Sequence, residues 1–184
     1  IGCPSAAIAL EELVRCGADT FIRVGTSGHI QKDIKSGELA IISGAIRDEG
    51  TSRHYMPIEF PAIADLEIVR ALQVAARKRG APHRTGITQS KDSFYGQHEP
   101  ERMGVSDELL QRWRAWEIGG ALCSEMEASA LFVIASMLRV RAGAIMMVHA
   151  QEPMPPLDIL LETAVEGLRE LIAFDKASGK SVTI

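Results

Sequence analysis

Two carboxylates two positions apart, Glu125 and Glu127, flank a thioether in the stretch Ser124-Glu125-Met126-Glu127-Ala128-Ser129. Gly119-Gly120 precedes it and the apolar run Ala130-Leu131-Phe132-Val133-Ile134-Ala135 follows. Acidic groups at the mouth of a buried helix admit two readings. In the first, Ser124 and Glu127 form a capping box, their side chains satisfying free N–H groups at a helix start where the dipole favours acids. In the second, the carboxylates face a cleft and accept hydrogen bonds from sugar hydroxyls while Met126 packs on the ring.

Two other segments carry groups of the right kind. Thr20-Phe21-Ile22-Arg23-Val24 has β character and breaks at Gly25-Thr26-Ser27-Gly28, a turn whose N–H groups and hydroxyls could surround an oxyanion. An arginine inside such a strand is costly unless its charge is paired or used. Residues 90–102 combine the rings of Phe94 and Tyr95 with Gln97, His98 and Arg102. Stacking rings beside amide and guanidinium groups suit a planar heterocycle.

Other chemistries find less support. His29, His54, His83, His98 and His149 lack the spacings of a zinc site, and no Cys stands at a ligand interval. There is no G-x-S-x-G elbow and no strand-borne G-x-G-x-x-G. Phosphate, a sugar and a flat base remain as the ligand parts that these residues could hold.

The elements that must position these groups alternate. A helix over residues 6–14 starts at Ser5 as N-cap and stops at Gly17, and the strand carrying Arg23 follows. Residues 38–42 read as a strand leading into residues 47–54, a run too charged for the core. Asp65 caps an amphipathic helix with Leu66, Val69, Leu72 and Ala76 on one face, stopped by Gly80. Residues 83–89 form a strand, and Asp107 opens a helix through Leu109, Leu110, Trp113 and Trp116. The helix after Glu127 ends near Leu138, residues 142–148 make a buried strand, and a final helix over residues 157–174 turns Leu160, Leu161, Ala164, Leu168, Leu171 and Ile172 inward, before a fraying tail. This alternation predicts an α/β sandwich, one domain over residues 1–184, with helices on both sides of a largely buried sheet.

The chain's 184 residues can bury a sizeable core, and 46% hydrophobic content fits a globular protein. A net charge of -4 with interspersed signs gives no reason to expect nucleic acid or an anionic membrane. No apolar run reaches a membrane span, and the first residues lack a basic signal-peptide start. Cys3, Cys16 and Cys123, widely spaced in apolar surroundings, are expected to be reduced, buried thiols of a cytoplasmic protein.

Three separated segments together resemble one family. The opening residues Ile1-Gly2-Cys3-Pro4-Ser5-Ala6-Ala7-Ile8-Ala9-Leu10-Glu11-Glu12-Leu13 look like the signature of the nucleoside phosphorylases of the uridine and hexameric purine type. Phe21-Ile22-Arg23-Val24-Gly25-Thr26-Ser27-Gly28 resembles their phosphate-binding strand and turn, and Glu125-Met126-Glu127 their ribose-binding motif. Phe94-Tyr95-Gly96-Gln97, with Arg102 beyond, is similar to the uracil-reading loop of the uridine branch. The resemblance implies a three-layer sandwich on a mixed sheet and phosphorolysis of a nucleoside to ribose 1-phosphate and free base. By resemblance, Arg23, Gly25 and Thr26 bind phosphate, and Thr26, Glu125, Met126 and Glu127 bind ribose. Phe94, Gln97 and Arg102 bind the base, with Arg23, Thr26, Gln97 and Arg102 carrying catalysis. Phosphate is a co-substrate, and no resident cofactor or metal is implied apart from a monovalent cation at a subunit contact near Ile1 and Ser5. Homo-oligomers, dimers assembling into a hexamer, are the implied partners.

Residues 148–152, Val148-His149-Ala150-Gln151-Glu152, lack the Asp that purine enzymes of the family carry there, which favours the pyrimidine branch. Four residues separate Gln97 from Arg102 where the family has one, and His149 stands where the uridine branch tends to be apolar. The match also begins part-way through the signature. An upstream segment with further strands and phosphate-binding arginines is expected in the complete product, and this chain alone is expected to be weakly active or inactive. A purine nucleoside phosphorylase, a non-catalytic nucleoside binder and a hydrolase using water are the alternatives.

Overall fold

The computed structural model describes residues 1–150 and 153–179. Gln151, Glu152 and the tail expected at the C-terminus lie outside them. Six strands, β1 (Thr20–His29), β2 (Leu39–Asp48), β3 (Ala62–Ile63), β4 (His83–Lys91), β5 (Cys123–Glu125) and β6 (Arg141–His149), form one mixed sheet in the order β3-β2-β4-β5-β1-β6. Six α-helices surround it: α1 (Cys3–Arg15), α2 (Leu66–Lys78), α3 (Phe94–His98), α4 (Ser106–Ile118), α5 (Ala128–Leu138) and α6 (Asp158–Ala177). The mixed α/β sheet flanked by helices is therefore as expected. The sheet also curls until β6 meets β2, Leu39–Ile42 pairing antiparallel with residues 144–147. Beyond an irregularity between Ile42 and Gly44, the same edge of β2 turns to β3. A bulge is what lets one strand change partners in this way.

The core follows from burial on two levels. Leu39, Ile41, Ile42, Ile145, Met146 and Met147 pack with Ile68, Leu72, Phe132 and Leu160. Cys3, Ala7 and Leu10 of α1 meet Ala130 and Ile134 of α5 in a second cluster. Two glycines set the approach of α2. A Cβ on Gly143 would lie 2.3 Å from the Ile68 side chain, and one on Gly167 would lie 2.6 Å from that of Leu72. Such contacts are closer than side-chain packing tolerates.

Several expectations change. α1 begins at Cys3 with Gly2 as its cap, because Ser5 lies inside the first turn and donates back to the carbonyl of Gly2. Gly17, at φ 99°, does end it, its N–H reaching Val14 O while that of Ala18 reaches Leu13 O. Residues 25–28 are not a turn but the second half of β1, held in parallel register to β6 as far as Gly28 and His149. Asp65 caps α2 as predicted, accepting from the N–H groups of Glu67 and Ile68. Leu66, Leu161 and Leu168 are exposed, and Thr163, Gly167 and Asp175 share the inner face of α6 instead. Asp175 is there because Arg141 of β6 binds both of its carboxylate oxygens, at 2.9 and 2.8 Å. Cys3 and Cys123 are buried, but Cys16 is exposed at the end of α1.

The largest departure is the run 47–54, expected to be solvated. Arg47, Glu49 and Ser52 are buried. Arg47 donates to the carbonyls of Met56 (2.9 Å), Pro57 (2.6 Å), Ile58 (3.1 Å) and Phe60, and to Ser52 Oγ at 2.9 Å. One guanidinium thereby satisfies a whole irregular connection that has no ladder of its own. Replacing it strands those carbonyls. Arg47→Met is expected to lower unfolding free energy by about 3 kcal/mol, read from urea denaturation.

Candidate functional site

Alternation along the strands sorts the chemistry onto two faces. Glu125 pairs in register with Ser90 of β4, and Ser124 with Gln89 of β4 and Gly28 of β1. Arg23, Gly25 and Glu125 thus share one face of the sheet, while Ser124, Gln89 and Lys91 share the other.

On the first face Glu125, only 3% exposed, is the hub. Its Oε2 accepts from the N–H of Glu127 at 2.8 Å and of Ala128 at 2.9 Å, and its Oε1 accepts from the Ser90 hydroxyl. Ser90 Oγ in turn accepts from Ser129 N at 2.9 Å. Arg23 Nε stands 3.3 Å from Glu125 Oε2 and donates to Glu127 Oε2 at 3.1 Å, with Nη2 on the same oxygen. The other Glu127 oxygen accepts from Gly2 N at 2.6 Å. Burial alone would raise the Glu127 carboxyl, yet the Gly2 N–H and the Arg23 guanidinium outweigh it and hold it below the usual carboxylate value. Gly25 leaves room for this guanidinium, since a Cβ there would lie 2.8 Å from Arg23 Nη1. Glu49 closes the network from behind, accepting from Ser129 Oγ at 3.0 Å and from Ser52.

The capping box is not formed. Ser124 belongs to β5, Glu127 is the cap position of α5 without a side-chain cap bond, and Glu125 takes the free N–H groups. Its carboxylate thus both starts the helix and faces Arg23.

On the second face Ser124 Oγ accepts from Lys91 Nζ at 2.7 Å and donates toward the amide oxygens of Gln89 and of Gln97, the latter at 2.6 Å. Gln97 sits on α3, capped by Ser93, whose hydroxyl accepts from Gly96 N at 2.9 Å. Its amide nitrogen lies beside Gly28 of β1. The loop of residues 90–102 is therefore pinned to β5, beside the strand that carries Arg23 and Thr26. A cavity of about 440 Å³ opens here, lined by Gln97, Lys91, His98, Arg112, Trp113 and Trp116 among others. Arg112 binds Asp48, which also accepts from Gln89 at 2.7 Å.

The structure thus gathers Arg23, Gly25, Glu125 and Glu127, and connects Gln97 to them through Ser124. Thr26 lies next to Gly25 on β1, and Met126 joins the two carboxylates, its carbonyl accepting from Cys3 Sγ at 3.2 Å. Phe94 is 50% exposed, its ring 4.2 Å from that of His98. Arg102 is not brought in: it is exposed, binds Glu99 and lies outside the cavity lining. Sequence reasoning missed Ser90, Glu49 and Lys91. Counting by twos along β4 from Gln89 would have put Lys91 with Ser124, but Lys91 stood at the margin of the presumed loop. Among the described residues, no group of three or more His, Cys, Asp or Glu is placed to hold a metal ion.

A family pattern described as the phosphorylase superfamily matches residues 1–174. The chain belongs to the phosphorylase superfamily. Among curated superfamily members, the uridine phosphorylase of Treponema pallidum is 53% identical over 148 residues, covering 80% of this chain and 57% of its own. That of Thermococcus kodakarensis is 45% identical, covering 82% and 55%. The guanosine phosphorylase of Halorubrum lacusprofundi is 40% identical, covering 79% and 56%. The chain therefore spans little more than half the length of these superfamily relatives.

Burial pushes the Lys91 ammonium down to about 8, against the opposing pull of Glu125, Glu127 and Cys123, with Arg23 adding to the decrease. Between about pH 8 and the ordinary 10.5, the unfolded chain holds more of this proton than the folded one. Stability contributed at Lys91 therefore rises with pH across that window. The difference in urea midpoint between the wild-type chain and Lys91→Met, followed from pH 7.5 to about 10, should shift in favour of wild type as pH increases.

Proposed function

We propose that the chain cleaves the N-glycosidic bond of uridine with inorganic phosphate, giving uracil and ribose 1-phosphate. A single observation carries this reading: Arg23, on the strand with Gly25 and Thr26, lies against Glu125 and Glu127, one residue from the Ser124 that binds Gln97. A cation for phosphate, carboxylates for sugar hydroxyls and an amide for a base edge stand in sequence along one end of the sheet. The names of the Treponema and Thermococcus relatives support uridine as the substrate.

In the proposed reaction a phosphate oxygen forms a bond to C1′ while the C1′–N bond breaks, and its electron pair leaves with the base. Arg23 and Thr26 orient phosphate, and Glu127 and Met126 hold the ribose. Glu125 keeps Glu127 and Arg23 in place through the first N–H groups of α5. Gln97 receives the base edge, with Phe94 covering its ring. Catalysis is then positioning and electrostatics, without a protein nucleophile. The reading includes no resident cofactor, a monovalent cation at a subunit contact near Ile1 and Ser5, dimers assembling into a hexamer, and a cytoplasmic location. Among the described residues no helix is long and apolar enough to cross a membrane.

The Halorubrum relative favours a second reading, a purine nucleoside as substrate. Uracil release from uridine by the purified chain, with and without phosphate and beside guanosine and inosine, separates the possibilities. Release of uracil, weak from this chain alone, that requires phosphate and exceeds purine release is the expected outcome. Equal release without phosphate would instead make the chain a hydrolase.

A further inference from the structure

Leu161 and Leu168, which sequence spacing turned inward, are 53% and 46% exposed on α6, and they are not isolated. Leu157 (37%) and Val165 (52%) stand with them. Steps of four, four and three residues keep these four side chains on one shoulder of the helix, and the half-buried Ile172 extends the row. The buried face of α6 is a different one, made by Leu160, Ala164, Gly167 and Leu171, with Gly167 lying against Leu72 of α2. Helix α2 also engages the far side of α6, through Lys78 to Glu170 and through Arg70 over the Phe174 ring. The row itself stays open to solvent. Large apolar side chains gathered in this way are unfavourable in water and mark a surface that meets a partner.

The charges beside the row say what fits it. Exposed Asp158 and Glu162 border its first half, and exposed Arg169 and Lys176 border its second half along the same edge. A second α6 laid parallel would set acid on acid and base on base. Laid antiparallel about Val165, the same helix brings Glu162 opposite Arg169 of the second copy, with Asp158 within a turn of that copy's Lys176. A two-fold axis makes each of these contacts twice. Leu161 then meets Leu168, and Leu157 meets Ile172. The row and its border are complementary to themselves in one orientation only.

We propose that α6 is a docking surface for α6 of a second copy of this chain, packed antiparallel about a two-fold axis at Val165. The inference does not depend on the nucleoside reading. It concerns a face separate from the subunit contact near Ile1 and Ser5, at the start of α1, which packs on α5. Two helices of this length cover less than the about 1,600 Å² of a standard stable interface, so the contact forms reversibly as concentration rises.

Sedimentation velocity over a wide concentration range tests it. Val165→Glu sets two carboxylates against each other on the axis and should weaken this step of association about tenfold or more. Glu162→Arg and Arg169→Glu should each weaken it several-fold, and the two together should restore it to within about threefold of wild type, a rescue that general loss of structure would not show. All these positions are exposed, so thermal midpoints should stay near that of wild type. In a Cys16→Ser background, Val165→Cys should form an intermolecular disulfide on mild oxidation, while Met137→Cys on α5 should not. A chain that stays monomeric throughout, a dimer that Val165→Glu leaves untouched, or a double charge reversal no better than the single ones would overturn the inference. A Val165→Cys thiol shielded from alkylation in the monomer would also overturn it, since this polypeptide would then cover the row itself. A different protein found bound there in place of a second copy would do the same. None of these outcomes bears on uridine cleavage.

Discussion

The carboxylate of Glu125 is the interaction on which the rest depends. A nearly inaccessible anion must be compensated from several directions at once. Here the directions are three different elements: a hydroxyl from β4, two backbone N–H groups from the start of α5, and the guanidinium of Arg23 from β1. Satisfying it therefore fixes where β5 stops, where α5 starts and how far β1 lies from both. Removing any one partner leaves charge buried without compensation, which is far more costly than never having buried it. The fold and the site share this requirement.

The closed path of the sheet adds a second constraint. Because β2 pairs β4 along one edge and β6 and β3 along the other, no strand that carries a site residue lies at a free end of the ladder except at its tips. Arg47 performs the equivalent task for the irregular connection after β2, gathering carbonyls that no strand could pair. Glu49 then reaches from that connection to Ser129 at the base of α5. The polar network beneath the site is continuous with the scaffold.

Much of this was legible in the sequence, and the reasons for the rest are physical. Asp65, Gly17 and the Glu-Met-Glu stretch act locally, so their residue types reveal them. The capping box at Ser124 and the turn at Gly25 failed because both are local patterns overridden by ladder pairing: Ser124 and residues 25–28 are strand. The run 47–54 looked solvated because charge usually is, yet one guanidinium facing several carbonyls turns a charged segment into an interior one. Gln97 was readable as a polar group in a loop, but nothing local shows that Ser124 would hold it. Lys91 was hidden for the same reason, since its partner lies 33 positions away in sequence.

The two faces of the site differ in how freely they can change. The acidic face is buried in the core, and each of its members answers to several others. The opposite wall is formed in part by α4, a helix in which no residue is fully buried, and by α3, a single short turn held through Ser93 and Ser124. Substitutions along α4 disturb few core contacts, so the shape and charge of the cavity can vary without unsettling the hub at Glu125. A site built this way can keep the arrangement around Glu125 while the opposite wall changes. The buried exception on that wall is Lys91, which cannot be exchanged for another charge without re-solving its desolvation. The strand end of this wall is therefore fixed by burial, and the helices above it are free to vary.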